Sequence, residues 1–142
     1  MRTPASASQA LSLGGVPLDA VLGALRRLEP NAHACYIYDL DELERRVRRF
    51  EAAFSALRPL VAFAVKANGL PSILEHLSGL GLGGEAGSVG ELELARAAGF
   101  PAARRVLNGN GRTSEEAEWI ARHGIHSVNA DHVEELDLLE RA

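Results

Sequence analysis

From Leu60 onward the chain repeats one unit: a short apolar strand pattern, a polar or glycine-rich loop, a helix opened by a capping residue, and a glycine or proline stop. The copies are "LVAFAV" with "PSILEHLSGLG", "GLGGEA" with "SVGELELARAAGFP", "RRVLNGNGR" with "TSEEAEWIARHG", and "HSVNAD" with "HVEELDLLERA". A helix between consecutive strands carries the chain back to its starting end, so the pattern predicts an α/β protein with parallel strands covered by helices. An open doubly wound sheet and a closed (β/α)8 barrel both satisfy it. A barrel takes ~250 residues as a rule. On that reading the 142-residue chain is about half of one, a fragment that stops where a fifth strand is due.

Local chemistry places the element ends. Pro71 suits a first helical turn, and Ile73, Leu74, Leu77 and Leu80 form the stripe of that helix. Ser88 with Glu91, and Thr113 with Glu116, have the spacing of a capping box. Gly99 with Pro101, and Gly124, read as stops. Upstream, "ACYIYD" (34–39) reads as a strand and Asp41 to Leu57 as a helix, with Leu43, Val47, Phe50, Phe54 and Leu57 on one face. Arg45, Arg46, Arg48 and Arg49 fall mostly off that stripe and read as a solvated face. Residues 1–33 form a leader: "RTPASASQA" reads as a mobile tail, and a short helix follows Pro17, capped near Asp19. The organisation is thus a leader over 1–33 and a barrel portion over 34–142.

A chain that is 46% hydrophobic has enough apolar surface for a core, and its net charge of −4 provides no basic field for nucleic acid or anionic lipid. Neither nucleic acid nor membrane is expected as a partner, and a cytoplasmic location follows from the absence of a signal pattern or apolar span. The single cysteine, Cys35, lies in an apolar run and is expected to be a buried small hydrophobe in a reducing compartment. His123 and His126 straddle the Gly124 stop, and His33, His76 and His132 are scattered, so no metal site is expected. No Gly-x-Gly-x-x-Gly after a strand, Walker loop or nucleophile elbow occurs.

The chemistry centres on "LVAFAVKANG". Strand alternation puts Val61, Phe63 and Val65 on one side, and Leu60, Ala62, Ala64 and Lys66 on the other. Ala62 and Ala64 leave open volume beside a lysine at the carboxyl end of a strand, the end where α/β proteins bind ligands. Such an amine serves as a nucleophile, although a strand-end lysine also snorkels into solvent. Asn68 reads as an anchor of the turn behind it, or as a polar contact at the site. Ser88 and Glu91 are explained by the capping box, while a capped helix N-terminus also favours anions. In "NGNG", Asn108 and Asn110 lie on a carboxyl-end loop where glycines permit close ligand approach.

The segment "FAVKANG" resembles the Tyr-Ala-Val-Lys-Ala-Asn segment of the fold-type III pyridoxal phosphate decarboxylases, whose barrel is like that of alanine racemase. The likeness runs from Ala34 to the C-terminus, and "LNGNGRT" followed by "VNAD" is similar to the diaminopimelate branch of that family. The resemblance implies pyridoxal 5'-phosphate as cofactor, Lys66 as the lysine that bonds to it, and Ala64, Glu85 and Ser88 as further cofactor-binding residues. It implies decarboxylation of meso-2,6-diaminopimelate to L-lysine, with ornithine, arginine and carboxynorspermidine as alternative substrates and a homodimer when full length. A non-catalytic half-barrel that associates with another subunit is the alternative outside enzymology. The phosphate-binding glycine loop, the partner of the pyridine nitrogen and the C-terminal β domain would lie beyond residue 142. Glu85 stands where the family usually has aspartate, Gly87 replaces a larger residue, and "PNAHACYIYD" stands in place of the usual Gly-Thr-Pro-x-Tyr-Val-Tyr-Asp run, with Tyr38 and Asp39 matching while the preceding turn does not.

Overall fold

The structure, a computed structural model, describes residues 11–142, so the tail expected over residues 2–10 lies outside the described residues. The chain divides into two compact units, residues 1–48 and 49–142.

In the first unit, β1 (Ser12–Leu13) and β2 (Val16–Pro17) form an antiparallel hairpin. Its turn is Gly14-Gly15, with φ of 57° and 77°, the left-handed pair that a two-residue primed turn requires. The sequence reading missed this hairpin. Helix α1 (Leu18–Leu28) follows directly, with Asp19 in its first turn and Pro17 at the cap position. Helix α2 (Leu40–Phe54) begins within this unit and is capped by Asp39, whose Oδ1 accepts the Glu42 N–H at 2.9 Å.

The expected strand at 34–39 is not present. These residues have no ladder partner among the described residues, Tyr36 is 91% exposed, and Cys35 is exposed, not buried. An apolar run becomes a strand only where a neighbour accepts its backbone hydrogen bonds. The stripe expected on α2 is also only partly covered. Leu43 and Val47 are half-buried, whereas Phe50, Phe54 and Leu57 are exposed, the last on the 3-10 turn Ser55–Leu57.

The second unit holds a four-stranded sheet in the order β3-β4-β5-β6, all parallel: β3 Ala62–Ala64, β4 Gly83–Ala86, β5 Arg105–Leu107 and β6 Ser127–Val128. The intervening helices are α3 (Pro71–Gly79), α4 (Val89–Ala97) and α5 (Ser114–His123), and α6 (Val133–Glu140) follows β6. Register aligns Ala62 with Gly83, Ala64 with Glu85, Glu85 with Val106, and Val106 with Ser127. One face therefore carries Ala62, Ala64, Gly83, Glu85, Val106 and Ser127, and the other carries Phe63, Gly84, Ala86, Arg105, Leu107 and Val128.

The helices cover the second face. A methyl group at Gly84 would lie 3.2 Å from the Ala95 Cβ of α4 and 3.3 Å from the Phe100 ring. Ala86, Leu92, Leu107 and Trp119 form a buried cluster, with Val89, Ile120, Ile125 and Val128 packed against it. Each fully buried Leu or Phe of this layer contributes about 1.5–3 kcal/mol. The opposite face is covered less: apart from buried Gly83, its residues are half-buried. Strands in chain order, with α4 and α5 on one face, are the pattern of a (β/α)8 barrel, since a doubly wound sheet reverses its strand order. The under-covered face is then the barrel interior.

Two charged groups serve the helix layer. Arg105, 4% exposed, donates to the carbonyls of His123 (2.7 Å) and Gly124 (3.3 Å) and lies 5.3 Å from the Trp119 ring centroid. Burial, with the nearby Arg96 charge adding to it, pushes its guanidinium below its ordinary value. Trp119 Nε1 donates to Glu93 Oε1, and this bond, followed by the one from Arg96, holds the Glu93 carboxyl below the usual carboxylate range.

Candidate functional site

The carboxyl ends of the four strands open onto four loops, and the residues singled out from sequence gather there. The β3 ladder ends at Ala64, two residues before the lysine. Lys66 lies on the 3-10 turn Val65–Ala67, so the strand alternation expected to run through it stops at Ala64. Val65, 1% exposed, anchors the turn, and Lys66 itself is exposed. Asn68 anchors the exit as expected: its N–H donates to the Val65 carbonyl at 3.1 Å, and its Oδ1 accepts the Leu70 N–H at 3.0 Å. Pro71 then opens α3, whose Ile73, Leu74 and Leu77 are buried while Leu80 lies just past its end.

On the next strand, Glu85 is half-buried and pairs with Ala64 on one side and Val106 on the other, on the face that carries the small residues Ala62, Ala64 and Gly83. Gly83 has a steric reason to be glycine, since a Cβ there would lie 2.5 Å from the Arg104 carbonyl oxygen. Ser88 is the N-cap of α4, and its Oγ accepts the Glu91 N–H at 3.3 Å. The Glu91 carboxylate reaches past Ser88 to accept the Gly87 N–H at 2.8 Å, so the expected box closes one residue early. At Thr113 both bonds of the capping box form as the spacing predicts.

The β5 loop packs on the β4 loop. The Asn108 N–H donates to the Ala86 carbonyl at 2.8 Å, and a Cβ at Gly109 would lie 3.3 Å from the Gly87 carbonyl oxygen. Asn108 Oδ1 accepts the Gly109 N–H at 2.9 Å, and both Asn108 and Asn110 are exposed. Asn108 thus lies against the Ala86-Gly87 backbone that leads into Ser88. Among the described residues no group of His, Cys, Asp or Glu could hold a metal ion, and no helix is long and apolar enough to cross a membrane.

The sequence reading passed over Arg112. Its side chain, 1% exposed, sits in the same rim, donating to the carbonyls of Asn129 (2.7 Å) and Gly109 (3.3 Å). The available signal was a lone arginine between a glycine run and the Thr113 cap, where a solvated loop would normally hold a small polar residue.

Comparison with known proteins shows the family to which the chain belongs. The family model described as "Pyridoxal-dependent decarboxylase, pyridoxal binding domain" matches residues 40–142. Diaminopimelate decarboxylase of Zymomonas mobilis is 40% identical over 108 residues, covering 74% of this chain and 26% of that protein. The enzyme of the same name from Neisseria meningitidis serogroup B is 37% identical over 106 residues, covering 75% and 26%. The crystal structure of diaminopimelate decarboxylase from Helicobacter pylori complexed with L-lysine superposes with a TM-score of 0.75 at 30% identity, over 82% of this chain and 30% of that one. The chain spans about a quarter of the length of the curated relatives it matches. With the sequential parallel sheet, its helix-covered outer face and the lysine turn at its carboxyl rim, the chain belongs to the pyridoxal-dependent decarboxylases, through their pyridoxal-binding domain.

Proposed function

We propose that the protein of which this chain forms part decarboxylates meso-2,6-diaminopimelate to L-lysine, with pyridoxal 5'-phosphate held covalently by Lys66. The observation that carries this reading is the placement of Lys66 on an anchored turn at the carboxyl rim, with its side chain exposed. The rim fits the cofactor: an accessible primary amine, a floor of Ala62, Ala64 and Gly83, and a capped helix N-terminus that tolerates negative charge.

When bound, pyridoxal phosphate supplies an electron sink for the electron pair left behind as carbon dioxide departs. The chain's own residues do the positioning. Lys66 Nζ would hold the cofactor through its aldehyde carbon. Ala64 keeps the approach to that carbon open, and Glu85, beside Ala64 in the register, lines the same face with a carboxylate. Ser88 offers its hydroxyl at the α4 N-terminus, and Asn108 and Asn110 offer amides from the neighbouring loop. A homodimer in the cytoplasm, with the amino acid substrate as small-molecule partner, completes the proposal.

The test uses the full-length protein. Wild type is expected to develop the visible absorption of bound pyridoxal phosphate and to release carbon dioxide fastest from meso-diaminopimelate in a panel with ornithine, arginine and carboxynorspermidine. Lys66→Ala is expected to lose the covalent absorption and at least ~1000-fold in turnover. Preference for another member of the panel overturns the substrate; full activity of Lys66→Ala overturns the site.

A further inference from the structure

Arg112 gathers four groups, from the β5–α5 and β6–α6 connections, around one buried guanidinium. Nη2 donates to Asn129 O at 2.7 Å, just past β6, and to Gly109 O at 3.3 Å in the β5 loop. Nη1 lies 3.8 Å from Glu116 Oε2 in the first turn of α5, and Nη2 lies 3.9 Å from Glu135 Oε2 in the first turn of α6. Both carboxylates are committed to the same loops: Glu116 Oε2 accepts the Thr113 N–H at 3.1 Å, and Glu135 Oε2 accepts the Asp131 N–H at 3.1 Å. Glu135 is itself buried, 8% exposed. The Arg112 Nε has no partner among the described residues. A buried cation with an unused donor is costly unless its remaining contacts are strong.

Every one of these contacts lies at the carboxyl rim. Gly109, held by Arg112, abuts Gly87, and the Gly87 N–H is held by Glu91 next to Ser88. One guanidinium is therefore linked through two loops to the mouth of α4. We infer that Arg112 is a positioning residue of the cofactor site, fixing the Asn108–Gly111 loop, and through it the Gly87-Ser88 turn, in the geometry that receives the cofactor. The inference rests on the proposed function. It adds a residue that acts on that site without touching the ligand.

The planar fork is what the role requires, because a lysine supplies a point charge without two donors in fixed directions. The experiment compares Arg112→Lys and Arg112→Met with Arg105→Lys in the full-length protein. Arg105 is the suitable control, a buried arginine on β5 whose carbonyl partners, His123 and Gly124, lie at the C-terminal end of α5. Two quantities are read: the thermal midpoint of the cofactor-free protein, and the dissociation constant for pyridoxal phosphate by absorbance titration. All variants are expected to lower the midpoint, but only those at Arg112 are expected to weaken cofactor binding, by roughly tenfold or more. If Arg112→Met fails to fold, Arg112→Lys decides. Wild-type affinity in Arg112→Lys, or losses at Arg112 and Arg105 that track their midpoints alike, overturns the inference. A wild-type protein that binds no pyridoxal phosphate overturns the functional reading beneath it, a result distinct from either.

Discussion

At the scale of single residues, the lysine turn and Gly83 on the adjacent strand divide the work. Lys66 leaves the ladder after Ala64 and is carried out of the sheet by a 3-10 turn pinned at Val65 and Asn68, so its amine is reachable where a continued strand would have aimed it across the sheet face. Gly83 lets the adjacent backbone approach, and Gly83→Ala is expected to cost about 1–3 kcal/mol, seen as a lower urea midpoint at unchanged slope. Glu93 sets a pH response. Its folded-state pKa is depressed from 4.5, chiefly by the Trp119 indole N–H and then by Arg96, so its stabilisation is present above the unfolded value and is lost as pH falls through the folded one. Between neutrality and acid below pH 4.5, Glu93→Gln is expected to lose less stability than wild type in matched denaturation curves. Equal losses would show that the indole contact contributes nothing in solution.

Among the elements, the helices that follow the sheet strands owe their ends to local chemistry. Thr113 and Glu116 exchange side-chain and backbone bonds at the start of α5, and Thr113→Ala is expected to cost about 1 kcal/mol and to speed amide exchange in its first turn. Gly99 and Gly124, with φ of 87° and 68°, end α4 and α5 as their positions predict. The α2 stripe was read correctly as amphipathic, yet Phe50, Phe54 and Leu57 remain exposed, because periodicity reports which side chains share a face and not what covers that face. The strand expected at "ACYIYD" failed for a related reason, since a strand needs a partner that its own residues cannot specify. The Gly14-Gly15 hairpin carried a local turn signal all along.

Across the sheet as a whole, the edge strands β3 and β6 have no further strand partner among the described residues, and one face carries half-buried small and polar residues. Unpaired strand edges recruit other strands. The isolated 142-residue chain is expected to associate with rising concentration in sedimentation velocity, and a concentration-independent monomer would refute that. The sequence by itself determined the succession of βα units, the caps and stops of their helices, and the gathering of Lys66, Asn68, Ser88, Asn108 and Asn110 at one end of the sheet. These depend on spacings of a few residues, and parallel connection carries every loop after a strand to the same rim. Only the tertiary structure decided that Lys66 rides a turn outside the ladder, that one face is left half-covered, and that Arg112 is buried among Asn129, Gly109, Glu116 and Glu135. Those outcomes depend on groups distant in the chain meeting in space, where desolvation and ladder pairing, not local propensity, set the energy.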